Sequence, residues 1–306
     1  MRILVTGGAG FIGSHLTEAF VGAGHDVVVV DNLSSGRREQ VAAGARFHEA
    51  DIRSADAARI VADEKPDVLC HYAAQMNVRH SVEDPAFDAD VNVVGLLRML
   101  EAARKAGTRT TLFASSGGTV YGEVESLPTA EDHAPVPLCP YGVSKLTGEH
   151  YLEYYHRIHG MRYVALRYAN VYGPRQDPHG EAGVVAIFAR ALLAGQGARI
   201  FGDGLQTRDY VFVGDVVRAN LAALESSWCG PVNIGTGDET NVVELHARLR
   251  RLTGCDAMPE HAPAKEGEVR RSVLSCTRAA QVLGWKPSIT LDEGLLATVD
   301  FFRSRP

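Results

Sequence analysis

Short apolar segments alternate with longer segments of helical period along the first two-thirds of the chain. The short segments are rich in β-branched residues, which predicts strands at residues 3–6, 26–31, 45–48, 68–73, 110–115 and 162–168. Between them, the apolar pattern predicts helices at residues 12–23, 56–64, 87–106 and 141–159. Strands joined by helices of this length form βαβ crossovers, so we predict a parallel sheet with helices on both faces and a ligand at the carboxyl ends of its strands.

The pattern changes after Tyr168, where a Gly/Pro-rich stretch at residues 173–183 is followed by shorter elements. This change predicts a smaller second lobe, and residues 210–224 suggest a return to the main sheet. We therefore predict an α/β fold: a Rossmann-type doubly wound parallel sheet with a smaller, sequence-interleaved C-terminal substrate lobe. The sheet domain comprises residues 1–170 plus about 209–235, and the substrate lobe comprises about 171–208 plus 236–306.

Composition and charge are those of a folded enzyme. The 306 residues are 45% hydrophobic and 22% charged, with a formal net charge of -6, which disfavours a broadly basic nucleic-acid-binding surface. No apolar run approaches the roughly 20 residues that span a bilayer, and the N-terminus has no signal-peptide pattern. We expect neither a nucleic-acid nor a membrane partner.

The cysteines and histidines show no metal-binding or disulfide pattern. Five cysteines are scattered without a C-x-x-C spacing, which favours a reducing, cytoplasmic compartment. His156 and His159 lie three apart on a predicted helix, but no further ligand has suitable spacing. We expect no metal site.

Three glycines follow the first strand and open the first helix. Gly7, Gly10 and Gly13 allow a tight turn and the approach of a pyrophosphate to the helix N-terminus. Asp31 ends the second strand, where a carboxylate can accept both hydroxyls of an adenosine ribose. Its charge repels a 2′-phosphate and favours NAD over NADP, against which Arg37 and Arg38 are the counter-argument. A glycine turn without a ligand is the structural alternative.

Tyr141 and Lys145 form a Y-x-x-x-K pair at the start of a predicted helix, directly after Pro140. The spacing places both side chains on one helical face. A phenol is a poor base at neutral pH, and a neighbouring ammonium together with a positive nicotinamide ring lowers its pKa toward the working range. The pair is a catalytic candidate in this fold, although a surface tyrosine gives the same spacing.

The order of these motifs resembles that of the extended short-chain dehydrogenases that act on nucleotide sugars, most closely the UDP-glucose 4-epimerases. The resemblance extends from Arg2 to about Leu296. It is carried by residues 6–13, 31–36, 71–74, 115–116, 120–122, 141–145, 167–175, 208–211 and 265–268.

The resemblance implies bound NAD. It assigns to the cofactor Gly7, Gly10, Phe11, Ile12, Gly13, Asp31, Asn32, Ser35, Gly36, Asp51, Ile52, Ala73, Ala74, Gln75, Asn92, Ser115, Tyr141, Lys145 and Tyr168. Within this set, Asp51 and Ile52 correspond to the adenine contact and residues 73–75 to the loop beneath the pyrophosphate and nicotinamide ribose. Asn92 corresponds to a helix asparagine that supports the architecture of the site.

The implied reaction is a reversible internal oxidation of a UDP-hexose. Tyr141 takes the proton of the 4-hydroxyl while hydride passes from C4 to NAD, and the 4-keto sugar turns before the hydride returns to its opposite face. The implied substrate contacts are Asn170, Phe201, Arg208, Tyr210, Lys265, Glu268 and Ser272. Ser272 corresponds to a gate beside C2 of the sugar, where a small residue admits an N-acetyl group.

One departure from the family concerns the hydroxyl that shares the 4-hydroxyl proton with the tyrosine. The usual serine or threonine falls on Gly117 here. We favour Ser116 as its replacement, with Thr119, a water molecule or the Tyr141 phenol alone as alternatives.

Three other functions are open. A dTDP-glucose 4,6-dehydratase would carry an Asp-Glu pair where this chain has Gly118 and Thr119, and a UDP-glucuronate epimerase tends to carry an arginine near Asp177. The third is a catalytically silent NAD-binding protein. We also expect a homodimer through a four-helix bundle, because the predicted helices 87–106 and 141–159 are apolar on more than one face.

Overall fold

The computed structural model describes residues 1–178, 183–264 and 269–304. Its strands are β1 (Arg2–Thr6), β2 (Asp26–Asp31), β3 (Arg46–Glu49), β4 (Val68–His71), β5 (Thr110–Ser116), β6 (Arg162–Tyr168), β7 (Asn170–Tyr172), β8 (Arg199–Phe201), β9 (Thr207–Arg208), β10 (Tyr210–Phe212), β11 (Gly230–Ile234), β12 (Thr240–Asn241), β13 (Glu260–Ala262) and β14 (Arg271–Ser272). Its α-helices are α1 (Phe11–Gly22), α2 (Ala55–Glu64), α3 (Val78–Glu83), α4 (Pro85–Ala89), α5 (Leu96–Ala106), α6 (Gly117–Val120), α7 (Pro140–His159), α8 (Val184–Leu193), α9 (Val213–Glu225), α10 (Val242–Thr253), α11 (Thr277–Leu283) and α12 (Leu291–Arg303). A 3₁₀ turn spans Arg38–Gln40 and a π-helical segment spans Asp90–Gly95.

A parallel sheet forms the centre of the molecule. In the part of the chain that the structure describes, its seven strands lie in the order β11-β6-β5-β4-β1-β2-β3. The order reverses between β1 and β4, which is where doubly wound sheets bind ligands. Thr6, at the carboxyl end of β1, pairs with Val30 on one side and His71 on the other. The doubly wound sheet predicted from the sequence is confirmed.

Helices cover both faces of this sheet, so its central strands carry apolar side chains on both sides. Along β1, Ile3 and Val5 join the core on one face, whereas Leu4 joins the core on the other. A third core belongs to the second lobe and contains Tyr172, Phe188 and Leu295 among others. The catalytic candidates lie on α7, which packs against β5 and β6 and contributes Leu152 and Tyr155 to the core on the Leu4 face of the sheet.

The six predicted strands of the sheet form with small shifts at their ends. β3 begins at Arg46, one residue later than predicted, and β4 ends at His71, two residues earlier. The helix predicted at 87–106 is not one regular α-helix. It consists of α4, the π-helical segment Asp90–Gly95 and α5, and the wider π turn carries Asn92, whose side chain bonds to the loop after β4.

Residues 210–224 return to the main sheet as a helix that packs on it rather than as a strand within it, since Val216, Ala219 and Ala223 of α9 lie in the core of that sheet. β10 pairs with β7 in a separate two-stranded sheet, and Tyr210 packs edge-to-face on Tyr172 in the core of the second lobe. The strand that returns is β11, which pairs with β6. Its Val232 and Ile234 are fully buried in the main core, which gives β11 the apolar surface that a sheet strand requires.

Asp215 fastens α9 to the segment before α12. Its carboxylate accepts hydrogen bonds from the Ser288 amide at 3.0 Å, the Ser288 hydroxyl at 3.0 Å and the Ile289 amide at 3.1 Å, and it pairs with Arg218. The side chain is completely buried. These donors lose their partner if the carboxylate is removed.

We expect Asp215→Ala to lower the free energy of unfolding by about 3–5 kcal/mol, because it leaves buried donors unpaired. Asp56→Ala is the matched control, since Asp56 also lies in a first helical turn and pairs with an arginine three residues later, but is 72% exposed. Its loss is expected to stay within about 1 kcal/mol. Chemical denaturation measures both, and equal losses would contradict the role of Asp215.

Candidate active site

The turn between β1 and α1 requires glycine at two positions. Gly7 has a φ of +73°, and a Cβ there would lie 2.5 Å from the Ala73 amide nitrogen. A Cβ at Gly13 would overlap the Gly7 carbonyl oxygen. Among the described residues no side chain caps α1 at Gly10, so the N–H groups of its first turn, at Phe11 and Ile12, stay available to an anion.

Asp31 lies at the end of β2, next to this turn. Its carboxylate is 7% exposed and accepts hydrogen bonds from the Ala9 amide at 2.9 Å and the Leu33 amide at 2.8 Å. Each oxygen retains a lone pair for a hydroxyl donor. Gly36 packs against Ala9, and the Arg38 guanidinium lies over the Phe47 ring at 4.1 Å from its centroid.

Arg53 is a neighbour of the predicted adenine contact that the sequence did not indicate. It donates to the Asp51 carboxylate at 2.8 and 2.9 Å, and Asn32 donates to the same group at 3.1 Å. The Arg53 hydrogen bonds hold the pKa of Asp51 far below its usual range. Ile52 is buried beneath Gly95. Ser35, the remaining predicted cofactor contact in this region, is exposed.

The loop after β4 is fixed by Asn92. The Gln75 amide donates to the Asn92 side-chain oxygen at 2.8 Å, and the Asn92 amide group donates to the Gln75 carbonyl at 2.8 Å. This pair of bonds sets the path of Ala73 and Ala74, which follow β4 closely. Asn92 therefore holds the loop after β4 in place, and its role in a cofactor site stays a prediction.

Tyr141 and Lys145 lie on one face of the first turns of α7, which begins at Pro140. The Lys145 ammonium is 5.6 Å from the centroid of the Tyr141 ring and 5.0 Å from that of Phe113. Lys145 is 3% exposed, and this burial lowers its pKa to about 8, although the charge of Asp88 acts in the opposite direction. The ammonium form is therefore retained at neutral pH.

The Tyr141 phenol is not activated by the chain alone. Desolvation raises its pKa well above its ordinary value, and the negative charge of Asp88 adds to this effect. A side-chain hydrogen bond with Ser116 acts in the opposite direction. The expectation that neighbouring charge lowers the phenol pKa therefore needs a contribution from outside the chain.

The residue at the usual hydroxyl position, Gly117, faces a filled space. A Cβ on Gly117 would lie 2.5 Å from Leu274 Cδ1, and Leu274 is buried. The hydroxyl of Ser116 reaches Tyr141 instead, whereas the buried Thr119 hydroxyl has no hydrogen-bond partner in the part of the chain that the structure describes. Ser116 is thus the neighbouring hydroxyl that meets the phenol.

Ser115 and Tyr168, predicted as cofactor contacts, have protein partners. The Ser115 hydroxyl donates to Glu149, which forms a buried ion pair with Arg167 at 2.6 Å. The Tyr168 hydroxyl lies 2.7 Å from the Tyr72 hydroxyl and accepts from Asn220. Both residues stand at the carboxyl ends of sheet strands, so their contact with a cofactor stays a prediction.

Three predicted substrate residues are linked to one another through short strands. Arg208 on β9 is the register partner of Ser272 on β14, and Asn170 donates its amide to the Asp209 carbonyl at 2.9 Å. Asp209 was missed from the sequence. Its buried carboxylate accepts from Thr236 and Gly237 at 2.7–3.2 Å, and so holds the loop after β11 beside the site.

The other predicted substrate residues are more scattered. Phe201 ends β8 beside Ala262, and Tyr210 is 5% exposed within the second-lobe core, where it has a packing role. Lys265 and Glu268 lie outside the described residues. Arg270 and Arg271, which flank the predicted gate, form ion pairs with Asp203 and Glu239.

Two observations concern residues 1–178, 183–264 and 269–304. Within these ranges no group of three or more His, Cys, Asp or Glu side chains is arranged to hold a metal ion. Within them, too, no helix has the length and apolarity needed to cross a membrane.

The chain is similar along its length to proteins of known family. Residues 3–235 match the family model described as the NAD dependent epimerase/dehydratase family. A UDP-glucose 4-epimerase of Mycolicibacterium smegmatis is 50% identical over the whole chain and 99% of its own length. A crystal structure of a Thermotoga maritima UDP-glucose 4-epimerase with UDP-glucose superposes with a TM-score of 0.97 at 49% identity, covering 99% of both chains.

A second solved structure, a Thermus thermophilus UDP-glucose 4-epimerase in complex with NAD, gives a TM-score of 0.95 at 45% identity and covers 100% of both chains. The glycine turn, the acidic end of β2 and the Tyr141–Lys145 pair lie where such a fold places its site. The chain belongs to the NAD dependent epimerase/dehydratase family.

Proposed function

We propose that this protein is an NAD-dependent epimerase that reversibly inverts C4 of a UDP-hexose, interconverting UDP-glucose and UDP-galactose. The observation that carries the proposal is the placement of Tyr141 and Lys145 on one face of the first turns of α7, with the Lys145 ammonium 5.6 Å from the Tyr141 ring centroid. The full-length similarity to UDP-glucose 4-epimerases supports the same substrate class.

The glycine turn fits a dinucleotide. A Cβ at Gly10 would approach only the Gly7 carbonyl, at 3.3 Å, so the space in front of the α1 N-terminus is open to a pyrophosphate. Asp31 is the acceptor for the adenosine ribose hydroxyls, and its negative charge favours NAD over NADP. NAD, when bound, supplies a hydride acceptor and a positive charge beside Tyr141.

The chain's own residues manage the proton. Tyr141 accepts the proton of the sugar 4-hydroxyl and returns it after the sugar has turned. Ser116 holds the phenol oxygen in position and shares the proton with it. Lys145 remains an ammonium at neutral pH and stabilises the phenolate.

The second lobe supplies the grip on the nucleotide diphosphate. Arg208 carries the planar guanidinium that suits a diphosphate, and Asn170 begins β7, shortly after the carboxyl end of β6. A firm hold on the nucleotide with few contacts to the hexose allows the keto sugar to turn. Ser272, paired with Arg208, leaves room beside the sugar for an N-acetyl group.

A dehydratase is disfavoured by the surroundings of Gly118. The nearest side-chain atoms to a Cβ at this position would be Asn170 Oδ1 at 3.8 Å and Ser116 Oγ at 4.0 Å. Neither is an acid that could protonate a leaving hydroxyl. The negative Asp177 likewise disfavours a substrate that carries a carboxylate.

A homodimer is the proposed assembly. The π-helical segment and α7 expose apolar side chains although both elements also pack on the sheet: Val94 is 39%, Val143 49%, Tyr154 48% and Ile158 63% exposed. Such apolar surface on two neighbouring helices suits a four-helix bundle with a second copy of the chain. The five cysteines, all described, are free, which fits a reducing compartment such as the cytoplasm.

We expect Tyr141→Phe to lower kcat about 10²–10⁴-fold, because the phenol is the proton acceptor, while the amount of bound NAD is retained. An assay with UDP-galactose and identification of the nucleotide released on denaturation measure both. Tyr151→Phe, on the exposed part of the same helix, is the control.

Ser116→Ala separates the role of the Ser116 hydroxyl from that of the Tyr141 phenol. It removes the hydroxyl that contacts Tyr141 and is expected to lower kcat about 10–100-fold, as the loss of one hydrogen bond to a charged group allows. Wild-type turnover of Tyr141→Phe would exclude Tyr141 as the base. If Ser116→Ala kept wild-type turnover, the group that shares the proton with Tyr141 would instead be a water molecule or Thr119.

We expect the wild-type protein to convert both UDP-galactose and UDP-N-acetylgalactosamine. Ser272→Tyr should remove the second activity while it leaves the first within a few fold, because the larger ring fills the space beside C2. Ser272→Ala, which stays small, is the control and should keep both. Rejection of the acetamido sugar by the wild type would refute the gate and leave the epimerase proposal intact.

We expect a dimer by light scattering at micromolar concentration, and Ile158→Glu should convert it to a monomer by burying a charge in the bundle. Met258→Glu introduces the same charge at a residue of the second lobe that is 68% exposed, and should leave the dimer unchanged. A monomeric wild-type protein would refute the assembly.

A further inference from the structure

Asp88 on α4 is a fully buried acid that the mechanism above does not use. Its Oδ1 accepts hydrogen bonds from the Gln75 side chain at 2.9 Å and from the Asn92 side chain at 3.0 Å. Its Oδ2 accepts from the Ser144 hydroxyl at 2.6 Å. One carboxylate therefore joins the loop after β4, the π-helical segment and the catalytic helix.

The contact with Ser144 brings this charge to the catalytic pair. Ser144 directly precedes Lys145 and lies three residues after Tyr141, in the first turns of α7. An ammonium as deeply buried as that of Lys145 is costly unless an opposite charge is near. Asp88 is a carboxylate whose charge acts on both Tyr141 and Lys145, and it raises the pKa of each.

The other groups that face the pair do not take over this task. Cys139 at the N-terminus of α7 is a thiol whose pKa is raised by burial, so it is neutral at physiological pH. His71 on β4 has its pKa lowered to about 3 by burial and then by the Lys145 charge, so it is neutral as well. Phe113, on β5, contributes only the face of its ring to Lys145.

We propose that Asp88 is a positioning residue for catalysis, which holds α7 against the Gln75 loop and supplies the buried negative charge that keeps Lys145 an ammonium. The proposal rests on the epimerase function proposed above. The position of α7 and the protonation of Tyr141 and Lys145 then both depend on the Asp88 carboxylate.

Asp88→Asn tests the charge with little change of shape. The amide oxygen can still accept from Gln75 and Asn92, and the amide nitrogen can donate to the Ser144 hydroxyl. Without the negative charge, Tyr141 and Lys145 both lose their protons at lower pH. We therefore expect both limbs of the pH profile of kcat to move to lower pH, and kcat at pH 8.5 to fall by about tenfold or more relative to the wild type.

A second readout is independent of epimerase activity. The absorbance of tyrosinate, taken as the difference between each protein and its Tyr141→Phe counterpart, should appear at lower pH in Asp88→Asn than in the wild type. If the wild type turned over no UDP-sugar, this titration would still test Asp88. If the wild type is active and neither the profile nor the titration moves in Asp88→Asn, the proposal is overturned and the epimerase function stands.

Two controls separate charge from structure. Asp84→Asn removes an exposed charge from the start of the same helix and keeps the side-chain cap to Phe87, so both pH readouts should stay at the wild-type position. Asp88→Glu keeps the charge and should restore the wild-type position of the profile even at reduced kcat. If Asp88→Asn lost activity equally at every pH, with no shift of the pH profile, Asp88 would have a purely structural role. The proposed effect of its charge would then be refuted.

Ser144→Ala covers the case in which Asp88→Asn does not fold. It removes the hydrogen bond that ties the carboxylate to α7 while the acid itself is kept. We expect kcat to fall about tenfold with KM within about twofold of the wild type, because the reacting groups are displaced rather than the substrate released. Unchanged kcat in Ser144→Ala would overturn the positioning role.

Discussion

The buried ion pair between Glu149 and Arg167 is the interaction on which the geometry of the site depends. Glu149 lies on α7, two turns after Tyr141, and Arg167 lies near the carboxyl end of β6; each side chain is 5% exposed. Breaking such a pair leaves an uncompensated charge and costs about 3–5 kcal/mol. The pair therefore fixes the catalytic helix against the sheet, and its Ser115 contact fixes the strand that carries Ser116.

The same ion pair reaches the second lobe through a chain of hydrogen bonds. Arg167 donates to the Tyr121 hydroxyl at 2.8 Å, and Tyr121 donates to Asn233 on β11 at 2.7 Å. Asn233 bonds the Thr129 carbonyl, and Thr129 pairs with Leu274, the side chain that fills the space beside Gly117. A side chain at residue 117 would occupy the volume that Leu274 fills. The glycine at this position is therefore required by the packing between the lobes.

Local sequence patterns predicted the sheet but not the contacts that operate the site. β1 and β2 were predictable because apolar β-branched runs bounded by glycine and an acid have few other structures. The pairing of β10 was not predictable, because a strand of three residues can pair with either sheet. Only tertiary packing determines which sheet it joins. Asp88 was missed because its partners Gln75 and Ser144 are 13 and 56 residues away, although its spacing of four from Asn92 was a usable signal.

Burial acts on the ionisation of both members of the proposed catalytic pair, Tyr141 and Lys145. Desolvation disfavours the charged form of both groups, so it raises the pKa of the Tyr141 phenol and lowers that of the Lys145 ammonium. Asp88 protects the lysine but opposes ionisation of the tyrosine, since one negative charge acts on both. The Ser116 hydrogen bond offsets this effect only in part. In the proposed mechanism, the positive charge of bound NAD therefore joins that of Lys145 in favouring the ionised form of Tyr141, which ties the availability of the base to cofactor binding.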